Sequence, residues 1–136
     1  MKTEKSCGAV LYTYIQGIRH YVLVSSKREK NCGLPKGHME GAETEKETAV
    51  REIEEETLVR AEILDGFQRQ IEYITPKGSK KTVVYFIAYF SGQEAKKNPA
   101  ENADVFVLPL QEAINIATFD EIKEILKDAD GWLSKS

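Results

Sequence analysis

The segment TEKETAVREIEEET, residues 44–57, limits the fold more than any other part of this chain. Thr44 followed three residues later by Glu47 is a capping-box signature, in which each side chain accepts from the other residue's backbone N–H. A helix is therefore predicted to begin here and to run to about Thr57. At 100° per residue, Ala49, Val50, Ile53 and Thr57 gather on one side, while Glu45, Glu52, Glu55 and Glu56 gather roughly 120° away. Such a helix can dock by one stripe only, and its carboxylates must lie beside that dock. Glu52 meets Glu55 and Glu56 at the i,i+3 and i,i+4 spacings, where like charges cost roughly 0.2–0.5 kcal/mol per pair. Lys46 and Arg51 are the only cations in the segment, so the acidic face lacks the alternating partners of an ordinary solvated helix.

Runs rich in β-branched and aromatic residues predict strands at 7–14, 20–26, 67–74, 82–90 and 104–109. Gly17 marks a turn at 15–19 and TPKGSKK another at 75–81, so the first two and the middle two strands read as hairpins. Thr118 and Glu121 repeat the capping-box signature ahead of a second helix with the stripe Ile122, Ile125, Leu126 and Ala129. A short helix over 110–117 is expected before it. Helices and hairpins mixed in this way predict an α+β domain, a mixed sheet packed against helices, with residues 1–136 forming one unit large enough to close a core.

Directly upstream of the acidic helix, GLPKGHMEGAE carries Gly33, Pro35, Gly37 and Gly41. Such a loop can approach a ligand closely, and its Lys36 can meet phosphate. Carboxylates beside a glycine-rich lysine loop make chemical sense around a divalent cation, since Mg²⁺ is commonly held by a few carboxylates plus substrate phosphate oxygens.

Gly37, five residues, Glu43, seven residues, then Arg51-Glu52-Ile53-Glu54-Glu55-Glu56 resembles the signature of the Nudix hydrolases. The resemblance implies a mixed sheet sandwiched between α-helices and hydrolysis of a nucleoside diphosphate linked to another moiety. It further implies that Glu52, Glu55 and Glu56 ligate Mg²⁺ or Mn²⁺, that the Gly37 carbonyl is another ligand, and that Glu43 and Arg51 orient the carboxylates. The motif's last glycine falls on Leu58, where a left-handed backbone would cost a side chain roughly 1–2 kcal/mol. The wider sequence is similar to the asymmetrical diadenosine tetraphosphate hydrolases: LPKGHME, KTVVYFIAYF, and Glu101 followed by LQEAINIATF cover most of the chain. Asn31 stands in that family's histidine place, Cys32 and Val107 where it often has tryptophan, and the 75–80 turn is one residue longer.

A polyphosphate calls for lysines near the metal, and Lys36 with Lys81, or Lys80, are the candidates. Tyr73, Tyr85 and Phe119 are candidate platforms for an adenine ring, where stacking contributes on the order of 1–3 kcal/mol per base. Asn31 is a candidate base contact by position, His38 either faces phosphate or braces its loop, and His20 and Trp132 read as packing or surface residues. Glu55 or Glu56 is favoured as general base, with Glu101 a further ligand or the base itself.

The implied partner is a small nucleoside polyphosphate, cleaved to ATP and AMP if it is diadenosine tetraphosphate. An oxidised nucleoside triphosphate, a diphosphoinositol phosphate, an RNA 5′ end or a non-catalytic sensing role stay open beside it. A net charge of -3 argues against long nucleic acid and against an anionic membrane as partners. Two cysteines without C-x-x-C spacing, and an N-terminal apolar run too interrupted to be a signal, suggest a cytoplasmic protein with reduced thiols. Monomer and homodimer are equally compatible with the sequence.

Overall fold

A computed structural model describes residues 2–135. Its elements in order are β1 (Thr3–Ile15), β2 (Ile18–Ser26), β3 (Asn31–Gly33), β4 (Lys36–His38), α1 (Glu45–Thr57), β5 (Glu62–Ile74), β6 (Lys80–Tyr89), β7 (Ala103–Pro109), α2 (Leu110–Ile116) and α3 (Asp120–Lys135). The sheet is mixed: β1 and β6 run parallel at its centre, and every other pairing is antiparallel.

Strand side chains alternate between faces, and both faces of β6 are apolar. Val83, Tyr85 and Ile87 point to a core closed by Ala113, Ile122, Ile125, Leu126 and Ala129 of α2 and α3. Val84, Phe86 and Ala88 point the other way, to Ala49 and Ile53 of α1. The sheet is therefore sandwiched between helices, as expected.

The turn chemistry follows the sequence. Ile15 pairs with Ile18, and both intervening residues, Gln16 (φ 52°) and Gly17 (φ 79°), are left-handed, the pattern of a two-residue type I′ hairpin. In α1 both halves of the capping box form, Glu47 N–H to Thr44 Oγ1 at 3.1 Å and Thr44 N–H to Glu47 Oε1 at 2.8 Å. Leu58 does adopt the left-handed conformation (φ 63°) and closes the helix with its N–H on the Glu54 carbonyl at 3.0 Å.

Two expectations are corrected. The strands extend beyond the apolar runs, β1 starting at Thr3 and β5 at Glu62, with a bulge between Leu64 and Arg69 that turns at Gly66. Thr118 does not cap α3: the helix begins at Asp120, and the Thr118 hydroxyl accepts from Cys32 N–H at 2.7 Å instead. A strand amide left unpaired at that point would be the greater loss.

The loop upstream of α1 contains two short strands that the sequence reading passed over, and they place the site. β1 pairs with β2 only over Leu11–Ile15, after which the two diverge. β3 fills the gap on the β2 side and β4 on the β1 side, opposite Ser6, Cys7 and Gly8. Residues 31–38 are thereby wedged into a split in the sheet. The approach is close enough that a Cβ on Gly8 would lie 2.0 Å from the Pro35 carbonyl oxygen.

Candidate active site

Helix α1 lies over β4 with almost no clearance. A Cβ built on Gly37 would fall 2.0 Å from Cδ of Glu52, so the glycine is where the carboxylate has to be. The acidic residues occupy the C-terminal half of the helix, the negative end of its dipole, and no basic residue stands in the last turn to offset them.

One cation organises this charge. Arg51 donates from Nε to Glu43 Oε2 at 2.6 Å, from one terminal nitrogen to Glu52 Oε2 at 2.8 Å and Glu55 Oε1 at 3.1 Å, and from the other to the His38 carbonyl at 2.8 Å. Its first terminal nitrogen also lies 3.2 Å from Glu40 Oε2. Glu43 in turn accepts from Thr48 Oγ1 at 2.8 Å and from Glu40 N–H at 3.0 Å. The Arg51 hydrogen bonds, with those of Thr48 and the Glu40 backbone, hold the Glu43 carboxyl down to about 2. Glu43 thus ties the loop to the helix through Arg51.

Glu56 is handled differently. Its Oε1 accepts from Lys36 N–H at 2.9 Å, and burial pushes its carboxyl up to about 8, with the charges of Glu52 and Glu101 adding to the rise. Burial likewise raises Glu52, with Glu55 and Glu101 adding, although Arg51 works against it. Glu101 therefore lies near the carboxylates despite being 45 residues beyond Glu56 in the chain. The 91–102 loop reaches α1 through Asn98 Nδ2 on the Glu55 carbonyl at 2.6 Å and Lys96 N–H on the Thr57 carbonyl at 3.0 Å. Asn98 and Glu40 are contributors that the sequence reading did not single out.

The Gly37 carbonyl is corrected as a ligand. Successive residues of a strand turn their N–H and C=O groups to opposite edges. Pro35 O and Met39 N bond to β1, whereas Lys36 N meets Glu56 and the His38 carbonyl meets Arg51. The Gly37 carbonyl therefore faces β1, and the carbonyls on the carboxylate edge are those of Lys36 and of His38, the latter held by Arg51.

The opposite face of the same wedge is basic. Lys36 and His38 of β4, paired with Gly8 and Ser6, share a side with Lys81 of β6, paired with Glu4. Lys81 is 8% exposed and makes no ion pair among the described residues. Burial, then the neighbouring Lys36 charge, holds its ammonium below the usual range, with Glu4 and Glu29 opposing. His38 is lowered by burial and by Lys81, and its Nε2 lies 3.9 Å from Glu4. Lys80 instead reaches Glu72 at 3.2 Å.

Of the aromatic candidates, Tyr73 is 42% and Phe119 51% exposed. Tyr73 pairs with Lys81 across β5 and β6, and the Glu29 charge is felt by both, which sets the 27–30 turn beside them. Phe119 follows Thr118, whose N–H and hydroxyl both bond Cys32, one residue from Asn31. Asn31 is half-buried, with Nδ2 3.4 Å from Glu29. Tyr85 is corrected: at 1% exposure it lies inside the core against the α2–α3 layer and offers no open face to a base.

The donor set suits a hard divalent cation, since it consists of oxygens around a buried carboxylate, that of Glu56, which among the described residues is paired only with a backbone N–H. Among the described residues, no three acidic, histidine or cysteine side chains converge on one point in the present arrangement, because Glu52 and Glu55 are turned onto Arg51. No helix among the described residues is long and apolar enough to cross a membrane.

A family model described as the NUDIX domain matches residues 8–129. An asymmetrical bis(5′-nucleosyl)-tetraphosphatase of Rattus norvegicus is 34% identical over 103 residues, covering 73% of this chain and 69% of the relative. The crystal structure of a C. elegans Ap4A hydrolase binary complex superposes with a TM-score of 0.88 at 25% identity, covering 98% and 99% of the two chains. The NUDIX domain of Shewanella oneidensis NrtR, crystallised with ADP ribose, shares the fold at a TM-score of 0.78 and 22% identity, covering 98% of this chain and 90% of that one. This chain belongs to the NUDIX family and is a pyrophosphohydrolase that cleaves phosphoanhydride bonds in nucleotide substrates.

Proposed function

We propose that the protein cleaves diadenosine tetraphosphate asymmetrically, to ATP and AMP. The observation that carries this reading is the wedge itself: β4 has the carboxylates of Glu52 and Glu56 on one side and the ammonium groups of Lys36 and Lys81 on the other. A polyphosphate lying across β4 would meet both at once. The similarity to the rat tetraphosphatase and to the C. elegans hydrolase supports the choice of substrate.

Glu52, Glu55, Glu56 and Glu101, with the Lys36 carbonyl, would hold Mg²⁺ or Mn²⁺. When bound, such an ion neutralises phosphate oxygens and lowers the pKa of water. Arg51 and Glu43 keep the carboxylates oriented, and Lys36 and Lys81 balance charge on the phosphates. Glu55, the most solvent-accessible of the three helix carboxylates held at the site, accepts the proton of the attacking water. The water oxygen bonds to phosphorus, the bridging P–O bond breaks in line, and its electron pair leaves with the departing nucleotide. Tyr73 and Phe119 stack an adenine, with Asn31 at its edge.

The test is chromatography of products from diadenosine tetraphosphate, 8-oxo-dGTP, ADP-ribose and a diphosphoinositol phosphate in the presence of Mg²⁺. ATP plus AMP formed fastest from the first supports the reading; a faster reaction with another compound overturns the substrate and the stacking roles together.

A further inference from the structure

The 91–102 loop runs back along the end of α1 and is tied to it residue by residue. Gln93 bonds Arg60 with both ends of its amide, Oε1 accepting from the N–H at 2.7 Å and Nε2 donating to the carbonyl at 2.9 Å. Lys96 N–H bonds the Thr57 carbonyl at 3.0 Å, and Asn98 Nδ2 bonds the Glu55 carbonyl at 2.6 Å. Asn98, half-buried where Gln93 is exposed, is the last of these ties before Glu101.

Asn98 also builds the turn that carries Glu101. Its Oδ1 accepts from Ala100 N–H at 3.0 Å, and its carbonyl accepts from Glu101 N–H at 2.9 Å. Pro99 follows, and its fixed φ suits the second position of such a turn, so the sequence Asn98-Pro99-Ala100-Glu101 favours this closure locally. On the far side, Lys27 N–H holds the Asn102 carbonyl at 3.3 Å, and Ala103 pairs with Ser26 as β7 begins. One amide thus joins the helix to the turn, three residues from Glu101.

Glu101 needs such a hold. Its charge is felt by both Glu52 and Glu56, and the same repulsion pushes the loop away from the helix. A lysine at position 98 would hold the loop but would set a fixed positive charge beside carboxylates whose counter-charge is to be a metal ion. The asparagine amide instead donates to a carbonyl of the last helical turn, where intrahelical partners run out, and adds no charge.

We infer that Asn98 is a positioning residue for the hydrolysis: its side-chain amide, anchored on the Glu55 carbonyl, holds Glu101 at the Glu52–Glu56 carboxylates. The inference rests on the proposed function in taking Glu101 as a ligand of the divalent cation. Its consequence is specific, since Asn98 then contributes to metal binding through Glu101 alone and never touches the ion.

The test is a double-mutant cycle read by Mn²⁺ binding without nucleotide, the free ion being counted by electron paramagnetic resonance. Asn98→Ala should weaken Mn²⁺ binding about 10-fold, the size usual for a group that orients a ligand, and Glu101→Gln by at least as much. The double variant should bind no more weakly than Glu101→Gln alone. Asn98→Ser, whose hydroxyl can begin the turn but falls short of the Glu55 carbonyl, should behave as Asn98→Ala. No loss in Asn98→Ala, losses that multiply in the double variant, or a serine variant that binds as the wild type does would each overturn the inference. Amide hydrogen exchange without metal gives a second readout: Glu101 N–H should exchange roughly 5-fold faster in both Asn98 variants, with Ile53 N–H unchanged, and an unaltered Glu101 rate overturns the inference as well. Glu101→Gln without effect on Mn²⁺ would strike Glu101 from the proposed ligands, whereas the exchange rates would still decide the role of Asn98, so the two failures are distinguishable.

Discussion

Replacing Glu56 by glutamine should stabilise the metal-free protein while removing its activity, and the size of the gain follows from the structure. Burial raises the Glu56 carboxyl from 4.5 to about 8. A raised acid contributes its full stability below the unfolded value, near 4.5, and loses it as pH climbs toward the folded value, near 8. At about 1.4 kcal/mol per pKa unit, roughly 3 kcal/mol disappears between pH 5 and pH 8. Glutamine keeps the oxygen that accepts from Lys36 N–H but carries no charge to desolvate. E56Q should therefore match the wild type at pH 5 and exceed it by roughly 3 kcal/mol at pH 8, on the order of 10 °C in Tm for a domain of this size. The assay is a pair of thermal or urea melts with EDTA at each pH. Taking the difference between the two proteins at each pH removes the titration of groups that do not feel the Glu56 charge, leaving Glu56 with the neighbours coupled to it, Glu52 and Glu101. Adding Mg²⁺ at pH 8 should then raise the wild type more than the variant, because a bound cation favours the ionised carboxylate that only the wild type has. Parallel pH slopes for the two proteins would refute the reasoning, since Glu56 would then ionise in the fold at no cost.

Gly37→Ala forces a Cβ to within 2.0 Å of Glu52 Cδ, so the carboxylate must leave its 2.8 Å bond to Arg51; a loss of about 2 kcal/mol in stability and on the order of 100-fold in turnover is expected. Melts and single-substrate kinetics check both, and full activity would show that Glu52 need not stay where it is. Leu58→Gly removes a strained left-handed side chain that is already 40% exposed, so a gain of about 0.5–1 kcal/mol by urea unfolding is expected, with turnover unchanged. A loss of stability would mean that the Leu58 side chain contributes more to packing than its backbone strain costs.

What could be read from the sequence was what is decided locally. The Thr44–Glu47 box depends on residues three apart, and the acidic stripe depends only on helical period, so both came through intact. The same box signature failed at Thr118, because its competitor, the Cys32 amide, is 86 residues away in the chain. Strands β3 and β4, three residues each, carry no period of their own; they exist because β1 and β2 part and leave N–H and C=O groups to be paired. Tyr73 and Tyr85 look alike in a sequence, both being aromatic residues in apolar strands. β5 lies at the sheet edge and β6 at its centre, which separates an open ring from a core one. Gly8 was the one distant signal within reach, since an isolated glycine inside a strand often marks a close backbone approach, here that of Pro35.

The wedge also explains why repulsion among the carboxylates is tolerated. Helix α1 is anchored by Thr48, Ala49, Ile53 and Thr57, all buried, and its charged stripe is free of that anchor. Fully burying an aliphatic side chain such as Ile53 is worth roughly 1.5–3 kcal/mol, against roughly 0.2–0.5 kcal/mol for each like-charged pair, so the dock outweighs the clash of charge. Arg51 then lowers what remains by bridging Glu40, Glu43, Glu52 and Glu55, but leaves Glu56, the most buried of the helix carboxylates facing the site, without an ion-pair partner among the described residues. An arginine that satisfied Glu56 as well would leave no helix carboxylate at the site in want of a cation. The position where stability is withheld is thus the position where a divalent ion would gain most.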